Sequence, residues 1–337
     1  MMIETRAYAR AGLIGNPSDG YFGKTISVIL RNFSARVTCY ESPQLNIAPC
    51  QQDKMNFGSI DDLVSDVQLN GYYGGLRLIK ASIKRFSDYC AEQDITLDQR
   101  NFTLEYSTDI PIRVGLAGSS GIVTATMRAL MQFFEVQIPP PELASLVLSV
   151  ELEELAIGAG LQDRVIQAYE GVVFMDFDRA VMEERGYGHY ESLAPDLLPP
   201  LFVAYHDNLS EGTEVTHNDL RSRFNRGDEE VHSAMREFAG FAQTVRDLLV
   251  MGRGLDIGPV LSENFALRTA LIKVSEGNKQ LVALAEAQGC HAKLAGSGGA
   301  VIGTYDGDPQ RLAALRTAYE SLGAQLVEPE IKAMGEP

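Results

Sequence analysis

Residues 111–125 have the composition of a loop that binds a polyphosphate. Its three glycines would let the backbone approach the phosphates, and the helix-compatible run that follows offers unpaired N–H groups and a positive dipole end. Ser119 and Ser120 add hydroxyls, one of which could reach a magnesium ion that bridges the phosphates. Neither G-x-x-x-x-G-K-[ST] nor G-x-G-x-x-G matches this segment, so a tight strand-to-helix turn without a ligand is the alternative interpretation.

Two other glycine-rich segments carry polar residues or tight turns. In residues 10–24, Arg10 is a permanent cation, Asp19 can accept two hydroxyl hydrogen bonds, and Pro17 with the nearby glycines sets a rigid path between them. Residues 293–303 place three glycines within four positions between apolar runs. A hairpin turn explains this third segment as well as a ligand contact does.

The pattern of apolar residues predicts an α+β chain in two lobes. The strands are predicted over residues 26–40, 102–107, 172–177, 201–206 and 324–328, with a strand-loop-strand at 291–305. The helices are predicted over residues 74–93, 118–135, 142–157, 164–170, 228–251, 256–288 and 308–322. Glycine, proline and mixed charge over 178–200 predict an irregular connection, which divides the chain into domains 1–195 and 196–337.

The charge and the cysteines exclude several classes of protein. A formal net charge of −16 would repel nucleic acids and anionic membranes, so any phosphate site must be locally basic. The four cysteines at 39, 50, 90 and 290 have neither metal-site nor disulfide-framework spacing, which favours reduced thiols in a cytoplasmic protein. No apolar run approaches the roughly 20 residues that span a bilayer.

Taken in this order, the three glycine-rich segments resemble the motifs of the GHMP kinase superfamily. The similarity extends to plant-type glucuronokinases at residues 15–27, 101–123, 160–171 and 293–301. The resemblance implies a two-lobed α+β fold, with a left-handed βαβ unit in the N-terminal lobe and a ferredoxin-like α/β sandwich in the C-terminal lobe. It also implies that ATP and Mg²⁺ serve to phosphorylate a uronic acid, D-glucuronate, at its anomeric hydroxyl. A kinase for another sugar or small alcohol, and a nucleotide-binding or sugar-binding regulator without turnover, are the alternatives.

The resemblance also implies roles for individual residues. Asp163 would be the catalytic carboxylate. Arg10 would lie near the transferred phosphate and would keep Asp163 ionised. The ATP phosphates would be held by Pro111, Gly115, Leu116, Ala117, Gly118, Ser119, Ser120 and Gly121. The substrate would be held by Asp19, Asn16, Gly296, Ser297, Gly298 and Gly299. Magnesium would be held by Ser120 and Glu151, with Glu153 or Glu154 as alternatives to Glu151.

Some of these assignments have simpler alternatives, and the sequence departs from the family in places. Asp163 could cap a helix, and Glu151 could lie on a solvated helix face. Asn16 and Pro17 stand where galactokinase-like enzymes carry Glu and His, which argues against a galactose-type substrate, and Gly121 replaces a common alanine. Four cations could read a substrate carboxylate: Arg77, Arg113, Lys24 and Arg164.

Overall fold

A computed structural model describes residues 2–50, 53, 59–60, 74–207, 209 and 213–336, with the backbone alone over 213–218. These residues form two sheets with helices packed against them, which confirms the predicted α+β class. No helix in the described ranges combines the length and apolar character needed to cross a membrane.

The first sheet is built around one long central strand, β2. Its strands are β1 (Met2–Ile14), β2 (Lys24–Glu41), β3 (Asn46–Ala48), β4 (Phe102–Thr108), β5 (Val172–Asp176) and β6 (His189–Leu193). The order is β3-β4-β2-β5-β6, and β1 pairs antiparallel with β2. The two ends of β2 serve different partners, since residues 24–28 pair with β5 and residues 35–41 pair with β4. The sequence interpretation missed β1, although its first six residues alternate between exposed and buried. Its last six residues are all buried and lack this alternation.

Helices of the first lobe cover this sheet and carry two of the predicted loops. They are α1 (Gly75–Glu92), α2 (Gly118–Phe133), α3 (Pro140–Ser149), α4 (Gln162–Tyr169) and α5 (Arg179–Arg185). The predicted helix over 142–157 ends early, because a π-helical turn at Val150–Glu154 follows α3. Such turns often occur at functional sites, and this one contains Glu151. The segment predicted to be irregular, 178–200, contains α5 and β6.

The second sheet is antiparallel, and its strand order is β10-β7-β9-β8. Its strands are β7 (Leu201–Tyr205), β8 (His291–Leu294), β9 (Ala300–Thr304) and β10 (Gln325–Val327). The helices of this lobe are α6 (Thr213–Asn225), α7 (Glu229–Val250), α8 (Gly258–Leu271), α9 (Glu276–Ala287) and α10 (Pro309–Ser321). The predicted helix over 256–288 is in fact two helices, because Ile272 is extended and the Ser275 side chain caps α9.

The two lobes share a core and a chain terminus. Ile26 of the first sheet, Ile302 of the second and Ala242 of α7 belong to one continuous cluster of buried apolar residues. After β10 the chain returns to the first lobe, where the Arg31 N–H donates a hydrogen bond to the Glu330 carbonyl at 2.9 Å. The division into domains at residue 195 stays a prediction, since this packing crosses it.

Candidate active site

The first glycine-rich loop connects β4 to α2 and presents mainly backbone. Gly115 has φ +73° and Ala117 has φ +64°, and this left-handed pair turns the chain into the first turn of α2 at Gly118. The first N–H groups of a helix have no intrahelical acceptor, so they can bind an anion. The Leu116 side chain is buried, and the Leu116 carbonyl accepts a hydrogen bond from the Arg10 N–H at 3.2 Å. Pro111 lies partly buried at the start of the loop.

The third glycine-rich loop, which connects β8 to β9, packs directly on the first. A methyl group added to Gly296 would collide with the Gly115 carbonyl oxygen. One added to Gly115 would lie 3.0 Å from both the Ser297 N and the Gly298 carbonyl oxygen. Gly299 has φ +84°, and its N–H donates to the Asn278 side chain at 2.8 Å. The loop is therefore more than a hairpin turn, because its glycines allow two backbones to touch.

Arg10 connects both loops to Asp163. Its Nε donates to Asp163 Oδ1 at 2.6 Å, and its Nη1 donates to the carbonyls of Gly115 at 2.5 Å and Ala295 at 3.2 Å. Arg10 lies on β1 rather than in a turn, and its side chain is 7% exposed, which excludes an ordinary surface cation. Its Nη2 makes no hydrogen bond to the described residues and is the group left for a phosphate.

Asp163 and Asp19 face the same small space. Asp163 lies in the first turn of α4, where Leu161 is the N-cap, so it is not a helix cap. Asp19, in the short helical turn Ser18–Tyr21, sits so close to Gly160 that a methyl group there would collide with its Oδ2. Burial, followed by repulsion from Asp163, raises the pKa of Asp19 to about 6, against a hydrogen bond from the Gln162 N–H that lowers it. Two carboxylates whose charges act on each other suit a ligand that carries several hydroxyl groups.

Two buried amides complete this space. Asn16 is 5% exposed and Gln162 is 3% exposed, and the side-chain oxygen of each lacks a hydrogen-bond partner in the described structure. Both amides lie over Gly12, where an added methyl group would meet Gln162 Nε2 at 2.7 Å and Asn16 Cγ at 3.4 Å. The sequence interpretation named Asn16 but not Gln162. Gln162 directly precedes the predicted catalytic residue Asp163, and this position could have indicated that it belongs to the site. Buried acceptors without donors indicate a place where a ligand supplies them.

Glu151 is fully buried, which rules out a solvated helix face. Its Oε1 accepts from Ser119 Oγ at 2.7 Å, and its Oε2 accepts from Arg164 Nε at 2.8 Å and also from Arg164 Nη2. Glu153 is exposed, and Glu154 pairs with Lys84 at 2.7 Å. Among the three acids, Glu151 is thus the one beside the first glycine-rich loop.

The two serines of the first loop differ in their surroundings. Ser119 is partly exposed and bonds to Glu151, whereas Ser120 is fully buried and donates to the Ala117 carbonyl at 3.2 Å. The contact between a loop hydroxyl and Glu151 is therefore made by Ser119, although the sequence interpretation paired Glu151 with Ser120. The magnesium role of Ser120 stays a prediction.

Two further basic side chains, Lys293 and Arg268, are buried near Gly12 and the third glycine-rich loop. Lys293 is 1% exposed, and its Nζ donates to the carbonyls of Gly12 and Leu294, each at 2.8 Å. Burial, with repulsion from Arg268 and Arg10, lowers the pKa of Lys293 well below its usual value. Arg268 Nη2 donates to the Ser297 carbonyl at 3.1 Å, which brings this charge under the third loop. The sequence interpretation gave no role to Arg268 or to Lys293. Arg268 reaches the third loop through the packing of α8, and the Lys293 side chain reaches the Gly12 carbonyl from β8.

Of the four cations predicted as candidates to bind a substrate carboxylate, two are paired with acidic residues and two are exposed. Arg164 is bonded to Glu151, and Lys24 pairs with Asp176 at 2.9 Å. Arg77 and Arg113 are exposed, and each makes an interaction of its own. Of the four, Arg164 is the one whose charge acts on the Asp19 carboxylate, where it lowers the pKa.

Comparison with known proteins identifies the family. The sequence model for the GHMP kinases N terminal domain matches residues 77–171. Glucuronokinase 1 of Arabidopsis thaliana is 42% identical over 306 residues, which cover 89% of this chain and 84% of that protein. The chain belongs to the GHMP kinase family. A second relative from the same plant is 40% identical to this kinase over 335 residues and covers 97% of it.

Solved structures confirm the two-lobed fold of this kinase. Galactokinase of Lactococcus lactis, complexed with galactose, has a TM-score of 0.79 at 16% identity and covers 98% of this kinase and 94% of that chain. Mevalonate kinase of Methanococcus jannaschii has a TM-score of 0.71 at 19% identity and covers 98% of both chains. At these identities the likeness concerns the fold alone.

Proposed function

We propose that this GHMP kinase uses ATP to phosphorylate D-glucuronate at its anomeric hydroxyl, giving glucuronate 1-phosphate and ADP. The similarity to a glucuronokinase over most of both chains supports this substrate. The observation that carries the chemistry is the Arg10–Asp163 pair, which lies where the two glycine-rich loops meet. A carboxylate, a buried cation and backbone donors at one point are the groups that phosphoryl transfer needs.

The ATP phosphates would lie against the first turn of α2 and the backbone of residues 115–121, and residues 296–299 would close over them. Backbone N–H groups at a helix start suit this charge, and Arg268, whose Nη2 donates to the Ser297 carbonyl, adds positive potential. A magnesium ion would be held by Glu151 with the hydroxyls of Ser119 and Ser120, since a carboxylate beside a hydroxyl is a suitable donor set. When bound, it would neutralise charge on the β- and γ-phosphates.

Asp163 would orient the acceptor. Its carboxylate accepts the hydrogen bond of the anomeric hydroxyl, which directs that oxygen toward the γ-phosphorus. As the new O–P bond forms and the bond between the γ-phosphorus and the ADP oxygen breaks, the hydroxyl proton passes to Asp163. Arg10 stays bonded to Asp163 through Nε, while its Nη2 meets the charge on the transferred group. Such a general base typically contributes about 10²–10⁴-fold to the rate.

Asp19 and Asn16 would hold hydroxyl groups of the sugar ring on the other side of the same space. The raised pKa of Asp19, about 6, leaves it ionised and a strong acceptor at neutral pH. We also propose a cytoplasmic location, where ATP is available. The four cysteines, which all lie in the described ranges and form no disulfide there, support it.

An ADP-release assay over glucuronate, galacturonate, galactose and mevalonate tests the substrate. We expect glucuronate to have the highest kcat/KM, with a product whose phosphorus couples to the anomeric proton in NMR. Equal turnover of neutral sugars would refute the uronate substrate, and absence of ADP release with all four would refute the kinase activity.

A further inference from the structure

A glucuronate ligand brings a carboxylate into a space that already holds Asp19 and Asp163. An additional cation is needed to neutralise the charge of that third carboxylate. The two cations nearest Asp163 are engaged, because Arg10 bonds to Asp163 and Arg164 to Glu151. An uncompensated anion beside two carboxylates would be repelled, most strongly in a chain with a net charge of −16. The cation must come from another element.

Helix α6 brings Arg221 next to Gly20, the residue that follows Asp19. A methyl group added to Gly20, the neighbour of Asp19, would lie 3.1 Å from Arg221 Nη2. The Arg221 guanidinium also lies 4.9 Å from the centre of the Tyr21 ring. Burial raises the pKa of the Tyr21 phenol, Arg221 opposes this rise, and Asp19 adds to it, so both charges act on one hydroxyl group.

The position of Arg221 is fixed by its neighbours on α6. Leu220 is buried in one apolar cluster with Tyr21, and the Phe224 ring lies 4.9 Å from the Tyr21 ring. Arg221 itself is exposed and forms no ion pair with the carboxylates of the described residues. A guanidinium that is held in place yet has no carboxylate partner in the described structure is suited to bind one from a ligand.

The buried amides supply an independent indication of a ligand. The side-chain oxygens of Asn16 and Gln162 lack donors in the described structure, and both amides face the space over Gly12. Hydroxyl groups of a sugar ring could donate to them, which would satisfy both acceptors and fix the orientation of the ring.

We propose that Arg221 binds the carboxylate of the uronic acid substrate, while the amides of Asn16 and Gln162 accept hydrogen bonds from its ring hydroxyls. This inference rests on the proposed function. In this arrangement the carboxyl group, attached to C5 and separated from C1 by the ring oxygen, points toward α6 while the anomeric hydroxyl meets Asp163. Arg221 is thus a specificity residue, and Gln162 positions the ring.

Calorimetric titration with D-glucuronate and with D-glucuronamide, its neutral counterpart, tests this assignment in the presence of a non-hydrolysable ATP analogue. We expect the wild type to bind the acid more tightly than the amide. In Arg221→Gln, affinity for the acid should fall by about 10- to 100-fold while affinity for the amide changes little, because a hydrogen-bonded charge pair is lost. Arg221→Lys should retain part of the preference for the acid over the amide, because lysine keeps the positive charge but lacks the planar guanidinium that can donate two parallel hydrogen bonds.

Arg179→Gln is the matched control, since Arg179 also stacks on a loop aromatic, 4.1 Å from the centre of the Phe22 ring. It should keep the wild-type preference. If Arg221→Gln keeps the preference for the acid at full strength, the assignment of Arg221 is overturned while the kinase function stands. If the wild type releases no ADP with glucuronate, the proposed function itself fails.

The amides have their own test. Gln162→Leu should weaken binding of both the acid and the amide by about 10-fold or less, since each loses the same neutral hydrogen bond. Melting temperatures of all variants separate loss of binding from loss of folding. Unchanged affinity of Gln162→Leu for both ligands would remove Gln162 from the site.

Discussion

The Nε atom of Arg10 lies 2.6 Å from Oδ1 of Asp163, and the same guanidinium holds the carbonyls of Gly115 and Ala295. One side chain on β1 therefore joins the carboxylate on α4 to both glycine-rich loops. Because Arg10 is almost fully buried, the geometry of the proposed acceptor and phosphate sites depends on a single pair. Removing one partner of such a buried pair generally costs about 3–5 kcal/mol, so Arg10 is expected to support the fold as well as the reaction.

Asp163→Asn tests the carboxylate with little change in shape. We expect kcat to fall by about 10²–10⁴-fold, because the amide cannot take the proton of the acceptor hydroxyl. Binding of ATP, measured by titration with a non-hydrolysable analogue, should stay within a few-fold of wild type. Asp256→Asn, which changes an exposed partner of Arg253, is the control and should leave kcat unchanged. Wild-type kcat in Asp163→Asn would exclude Asp163 from the chemistry.

Glu151→Gln tests the proposed magnesium ligand. We expect the Mg²⁺ concentration that gives half-maximal activity to rise about 10-fold or more, because a charged ligand is replaced by a neutral one. Glu153→Gln and Glu154→Gln should have no such effect, since Glu153 is exposed and Glu154 pairs with Lys84. The variant also removes the main ion-pair partner of the buried Arg164, which keeps only the longer contact with Asp163 at 3.4 Å, so the melting temperature of the variant should fall. A lower melting temperature with an unchanged magnesium dependence would make Glu151 purely structural.

Gly160→Ala tests the contact between Gly160, which precedes α4, and the Asp19 side chain. The added methyl group would collide with Asp19 Oδ2, so Asp19 has to move out of its position. We expect kcat/KM for the sugar to fall by about 10-fold or more, with KM for ATP nearly unchanged. Gly158→Ala is the matched control, because an added methyl group there meets no atom within 4 Å. Equal activity of the two variants would contradict the close approach of Asp19 to Gly160.

The pH dependence of the kinase should reflect Asp19. Its pKa is raised to about 6, so as the pH falls through 6 the carboxylate becomes protonated and a charged acceptor is lost. We expect kcat/KM for the sugar to decline below about pH 6, and this decline should be weaker in Asp19→Asn, which has lower activity throughout. A decline of equal steepness in wild type and variant would assign the titration to another group.

The same pKa has the opposite consequence for stability. A carboxyl group whose pKa is raised in the folded state stabilises the fold only while protonated, and this contribution is lost as the pH rises through 6. Asp19→Asn should therefore increase the free energy of unfolding at pH 7–8 by about 1–3 kcal/mol, with no gain below about pH 4. Denaturant titrations at the two pH values measure the difference. A loss of stability at pH 8 would contradict the burial of the charge.

The amino-acid sequence was sufficient for the local features. Periodic apolar spacing predicted α1 and α2, and β-branched residues predicted β2 and β4, close to their observed bounds. The glycine-rich segments and their order were sufficient to suggest the family, because each motif is contiguous in the chain. The sequence interpretation missed α6 and the break between α8 and α9, whose patterns carry no clear period. It also missed β1, of which only the first half alternates between exposed and buried residues.

Only the tertiary structure decided which side chains meet. Arg10 and Asp163 are 153 positions apart, and Lys293 reaches the Gly12 carbonyl across 281 positions, so no local pattern could pair them. The same holds for Arg221, which lies beside Gly20 and Tyr21 because α6 packs on Tyr21. Local spacing determines which face of a helix or strand is apolar. The packing of those faces in three dimensions determines which polar side chains of different elements meet. It therefore also determines which opposite charges form pairs.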